Sequence, residues 1–164
     1  MVKKFIIIAL SALLSLPLAA FELYRKMPGV VICQSGTPTP SAAWGAKELQ
    51  TALKRTLDIN ACIVQGEIPE KYTALFIVGA TDRYPIRENL EWDGFVIDSP
   101  GKNILHLAGK DDQRDPLADY YRANTGTLYA VYRFMREKLG VQMLWAADSG
   151  IVYPELKKVS LTER

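Results

Sequence analysis

The chain reads as an α/β domain, a mixed β-sheet with two main helices packed on it. Three observations predict this. Short β-branched runs such as "VVICQ" and "TALFIVGA" are separated by longer stretches. Two of those stretches, near residues 40–57 and 125–139, carry apolar residues at spacings of three and four. A third pattern, "DGFVIDS" and "NILHLAG" around the turn-rich "SPGK", predicts an antiparallel hairpin.

Taken in order, "MVKK" followed by "FIIIALSALLSLPLAA" has the basic start, apolar run and small-residue end of a secretory signal peptide over residues 1–20, with cleavage after Ala20. The run is shorter than the roughly 20 apolar residues that span a bilayer, so no membrane association is expected after cleavage. The location this implies is secreted or periplasmic. Losing Lys3 and Lys4 takes Lys plus Arg from 20 to 18 against 18 Asp plus Glu, and a formally neutral surface is a poor partner for nucleic acid.

Residues 30–34 predict the first strand. A helix follows, with Thr39 as its cap, Pro40 in its first turn, and Ala42, Ala46, Leu49, Leu53 and Leu57 on one face. Residues 61–65 predict a second strand, and "TALFIVGA" a third that is apolar throughout and so buried on both faces. "TDRYPIRENLEW" is polar and broken by Pro85, which predicts a short helix or a turn. In the hairpin, Ile104, His106 and Ala108 face one side and Leu105 and Leu107 the other. The second helix, from Thr125 to Leu139, has Leu128, Val131, Met135 and Leu139 on one stripe and Gly140 as its stop. "VQMLW" and "GIVYP" predict short extended segments, and the residues after them are polar with no evident role.

Chemistry is sparse. His106 stands alone, with no clustered Cys/His set, so neither a metal nor a cofactor is expected. "VGATDRY" lacks the spaced glycines of a phosphate loop, and Ser149-Gly150 is not a nucleophile elbow. Asp111, Asp112, Asp115 and Asp119 share a loop that can present two carboxylates to a glycosidic bond, although nothing in the sequence desolvates one of them to make a general acid. Tyr120 and Tyr121 in that loop are the better placed to bind something such as a sugar; Tyr129, Tyr132 and Phe134 fall within the helix and are expected in the core. Cys33 and Cys62 lie in separate strands. If those strands are neighbours a disulfide can form; the alternative is two buried free thiols, since direct bridges between adjacent parallel strands are geometrically awkward.

The segment "GTLYAVYRFMREKLGVQMLWAADSGIVYP" resembles the end of the non-catalytic N-terminal domain that precedes the barrel in family 20 β-hexosaminidases and family 67 α-glucuronidases. The resemblance rests on Gly126, Thr127, Tyr129, Val131, Tyr132, Phe134, Leu139, Gly140, Val141, Trp145 and Pro154, and continues upstream through "AAWGAKELQTALKRTL", "ALFIVGAT" and "DGFVIDSPGKNILHLAGKD". It implies a signal peptide (1–20), an accessory domain (21–155), and a tail or start of a linker (156–164) toward a catalytic barrel of roughly 250 residues that this chain does not contain. The implied role is non-catalytic support of a glycoside hydrolase in polysaccharide degradation. The rival reading is a stand-alone carbohydrate-binding module, with Asp111, Asp112, Tyr120 and Tyr121 holding a glycan; a third, an independent hydrolase, needs the loop acids to act alone. "DDQRDPLADYYRANT" is longer than the turn found there in the family and reads as an insertion.

Overall fold

A computed structural model describes residues 21–119, 121–144 and 147–161. The expected signal segment, Tyr120 and Trp145 lie outside the described residues. Five strands form a mixed sheet in the order β3-β2-β4-β6-β5. β2 (Val30–Gln34), β3 (Cys62–Gln65), β4 (Ala74–Val78) and β6 (Ile104–Gly109) run parallel, and β5 (Phe95–Gly101) closes one edge antiparallel to β6. β4 is buried along its whole length, as its unbroken apolar run requires.

Both helices pack on one face. α1 (Pro40–Leu57) starts where predicted: the Thr39 hydroxyl accepts from the Ala42 N–H at 3.1 Å, and Pro40 sits in the first turn, where its missing N–H is not needed. It ends at Asp58, which adopts φ 53° and donates its N–H to the last turn. α2 (Gly126–Lys138) lies beside it. Between helices and sheet, Leu49, Leu53, Ile32, Phe76, Leu107, Val131, Phe134 and Met135 form the main core. At about 1.5–3 kcal/mol for each fully buried large side chain, this face supplies most of the drive to fold. The opposite face carries a smaller cluster of Val31, Cys33, Leu75, Ile77 and Ile104, roofed by Ile68, Tyr72 and Tyr84. Leu105 and Leu107 thus face the helices and Ile104 the far side, as alternation predicts.

The stretch 81–92 is a turn, one of the two forms expected of it; the Thr81 hydroxyl accepts from the Tyr84 N–H at 3.1 Å. Other expectations need correction. The hairpin turns at Lys102-Asn103, overlapping only the last residue of "SPGK". Asn103 takes φ 58°, and the strand continues through Pro100 because the register shifts between Asp98 and Gly101 on an edge where proline costs no ladder bond. The polar C-terminal residues are no loose tail: β9 (Lys158–Leu161) pairs antiparallel with β1 (Phe21–Tyr24), burying Val159 against Phe21 and Leu23 in the main core. β7 (Gln142–Met143) and β8 (Ile151–Val152) make a separate small antiparallel ribbon.

The cysteines form no disulfide. They do lie on adjacent parallel strands, but Cys33 pairs with Val64 and Cys62 with Val31, which offsets them diagonally by about 7–8 Å between backbones. Cys33 is a buried thiol, pushed to a higher pKa by burial, whereas Cys62 is exposed, so the alternative of two buried thiols holds only for Cys33.

Candidate functional site

The loop acids are positioned by the ends of the two helices. α2 has no side-chain cap of its own at Thr125. Two acids from elsewhere serve instead: Asp93 Oδ1 accepts from the Thr125 N–H at 2.7 Å, and Asp111 Oδ1 accepts from the Thr127 N–H at 2.8 Å. The other oxygen of Asp111 accepts from the Thr39 hydroxyl at 2.7 Å, so one carboxylate ties the start of α1 to the start of α2. Asp112 accepts from the Asn124 N–H at 3.0 Å and the Arg114 N–H at 2.9 Å, and these bonds hold its carboxyl below the ordinary carboxylate range. Both acids assigned to substrate therefore already serve the loop and the helix ends, and Asp111 has each oxygen bonded within the protein.

Burial pushes the Asp111 carboxyl above its usual value, against the bonds from Thr127 and Thr39 that favour the anion. A folded-state value above the unfolded one means that its stabilising contribution is full at pH below the unfolded value and fades as pH rises through the folded value. Asp111→Asn removes that titration while keeping an acceptor for Thr127. Wild type should therefore gain stability over Asp111→Asn between neutral pH and pH 4, measured by urea unfolding; a difference flat in pH would refute the assignment. Asp111→Ala, which strands both donors, should cost about 1–3 kcal/mol at pH 7.

His106 is buried, as a structural strand residue should be. Its Nε2 lies 3.2 Å from the Gly79 carbonyl and its Nδ1 3.2 Å from Asp98 Oδ1. At the carboxyl ends of β2 and β4, where the strand order switches direction, a cavity of about 710 Å³ opens between Cys33, Ser35, Gly66 and Arg83. Its lining also includes Thr37, Glu67, Thr81 and Asp82.

The aromatic side chains do converge. A concavity of about 350 Å³ lies between the 111–124 loop and α2, lined by Trp92, Tyr121, Leu128, Tyr129 and Tyr132. A second, of about 370 Å³, continues from the shared Tyr129 and Tyr132 toward Phe95, Arg133 and Arg136. Trp92 is 58 % exposed, Tyr121 91 % and Tyr129 48 %. The expectation that Tyr129 belongs to the core is therefore wrong, whereas Phe134 is buried and Tyr132 packs partly against the core. Tyr121 joins the groove as its loop position predicts. Trp92 and Tyr129 were not foreseen, yet Tyr129, Tyr132 and Arg136 recur at helical spacing one step round from the buried stripe, a signal the sequence does carry. The groove walls are held by Asn124 Oδ1 accepting from the Asp93 N–H at 3.3 Å and by Arg114 Nη1 donating to the Arg122 carbonyl at 2.5 Å.

No protein-family model and no curated protein matches the sequence. Among solved structures, the fold is similar to part of BtGH115A, described as a novel family GH115 4-O-methyl-alpha-glucuronidase with specificity for decorated arabinogalactans. The match has a TM-score of 0.53 at 19 % identity and covers 87 % of this chain but 17 % of that one. The α/β fold of this chain thus has a distant counterpart within a much longer glycoside hydrolase.

Proposed function

We propose that the chain is the non-catalytic accessory domain of a secreted glycoside hydrolase acting in polysaccharide degradation, placed ahead of a catalytic barrel of α-glucuronidase or hexosaminidase type. The observation that carries this reading is the fold match over 87 % of the chain to a small part of a glycosidase. The geometry of Asp111 agrees with it, because a carboxylate bonded through both oxygens to helix ends is poorly placed to protonate a leaving group. Met143, Leu144 and Val152 around the β7–β8 ribbon expose apolar side chains of the kind that mark an interface, and they offer the barrel a seat. Reading the gene past codon 164 tests the proposal: a barrel-coding sequence is expected in frame, and a stop codon directly after Arg164 overturns it. The chain alone is expected to release no sugar from aryl uronides or aryl hexosaminides, and turnover abolished by Asp112→Asn would instead establish an independent hydrolase. The second reading, a stand-alone carbohydrate-binding module, is favoured by one observation, the exposed aromatic groove.

A further inference from the structure

We infer that the groove along α2 binds a segment of acidic polysaccharide, with sugar rings laid on Trp92, Tyr121 and Tyr129 and an anionic substituent met by Arg136. The inference stands on the groove and does not require that a barrel follow the chain.

Shape comes first. Two adjoining concavities of about 350 and 370 Å³ share Tyr129 and Tyr132, and each lies at the lower end of ligand-site sizes, roughly 300–1,000 Å³. Two concavities side by side suit successive rings of a chain better than a single compact ligand. The lining chemistry points the same way. Trp and Tyr each present an apolar face and a polar edge. A pyranose is the complementary object, with C–H groups on its faces and hydroxyls around its rim. Trp92, Tyr121 and Tyr129 are all exposed, and they line the groove together.

Pre-organisation adds to this. Asp93 grips the Thr125 N–H and hydroxyl, Asp112 grips the Asn124 N–H, and Arg114 grips the Arg122 carbonyl, so the loop wall is tied down before any ligand arrives. Charge then selects among glycans. Arg133 is paired with Glu137 at 2.6 Å, whereas Arg136, one helical turn from Tyr132, pairs with no carboxylate among the described residues. Two acids bear on the groove: Asp93 in its lining, whose Oδ1 accepts from Thr125, and Glu48, whose charge acts on Tyr132. A guanidinium beside an aromatic floor favours a carboxylate or sulfate on the sugar chain.

Calorimetric titration of the full chain tests this with three probes: oligogalacturonate for carboxylate, sulfated galactan oligosaccharide for sulfate, and neutral xylo-oligosaccharide. At least one acidic probe should bind roughly fivefold or more tightly than the neutral one, and whichever is tighter identifies the anion. Trp92→Ala and Tyr129→Ala should each weaken that binding by roughly five- to tenfold. Arg136→Gln should abolish the preference for the acidic probe. All three side chains are on the surface, and an unchanged thermal melt for each variant assigns any loss to the groove. The proposal is overturned if no probe binds, if acidic and neutral probes bind alike, or if Trp92→Ala leaves binding unaltered. It is equally overturned if a single-stranded oligonucleotide binds as tightly as the best glycan, or if sedimentation shows a dimer that Trp92→Ala dissolves, which would make a second copy the occupant.

Discussion

Gly109→Ala should destabilise the domain by about 3–5 kcal/mol, among the largest losses expected of any single methyl group here. Gly109 ends β6 directly against the first residue of α2, and a Cβ on it would overlap the backbone carbonyl carbon of Gly126. Gly126 is hemmed in as well, since its own Cβ would run into the Gly94 carbonyl oxygen. The three segments are knitted by backbone bonds, Lys110 N–H to the Gly94 carbonyl at 2.8 Å and Gly126 N–H to the Lys110 carbonyl at 3.1 Å. A methyl group can enter only if these bonds part. Gly36→Ala is the control, because its nearest neighbour would be the Gly66 Cα at 4.0 Å and the expected change is within about 0.5 kcal/mol. Chemical denaturation of both variants decides the matter, and a loss for Gly109→Ala as small as the control's would refute the close approach.

Phe76→Ala should cost about 3–5 kcal/mol by leaving a cavity at the centre of the main core. Its ring stands edge-on to Phe21 at 5.1 Å and to Phe134 at 5.5 Å, joining β1, β4 and α2 in one aromatic row. Phe76→Leu, which keeps most of the volume, should lose less than about 1.5 kcal/mol. The two variants should separate clearly in a urea melt. Equal losses would mean that the row is not the centre of the packing.

What the sequence discloses follows the range of the forces involved. α1 was legible at both ends because Thr39, Pro40 and the Leu49–Leu53–Leu57 stripe act within one helix. β4 was legible because burial on both faces demands an unbroken apolar run. The β1–β9 ribbon was not, since β9 buries one side chain, Val159, and its partner lies nearly the whole chain away. The same distinction governs the groove. Tyr121 could be placed by its loop, but the bonds to Asp111 could not be read, because their donors, Thr39 and Thr127, start two helices brought together only by folding. Trp92 gave no local sign, as its exposure depends on where the 111–124 loop comes to rest.

The ribbon that joins the first and last described strands also governs how the domain responds to tension. Phe21 sits opposite Leu161, so the ends of the described residues lie at the same tip of an antiparallel pair. A pull between them opens the ladder one bond at a time, as a zipper parts, instead of shearing every bond together. Under load the ends therefore peel away first, while the parallel strands, whose ladder lies elsewhere, stay joined until the ribbon has opened.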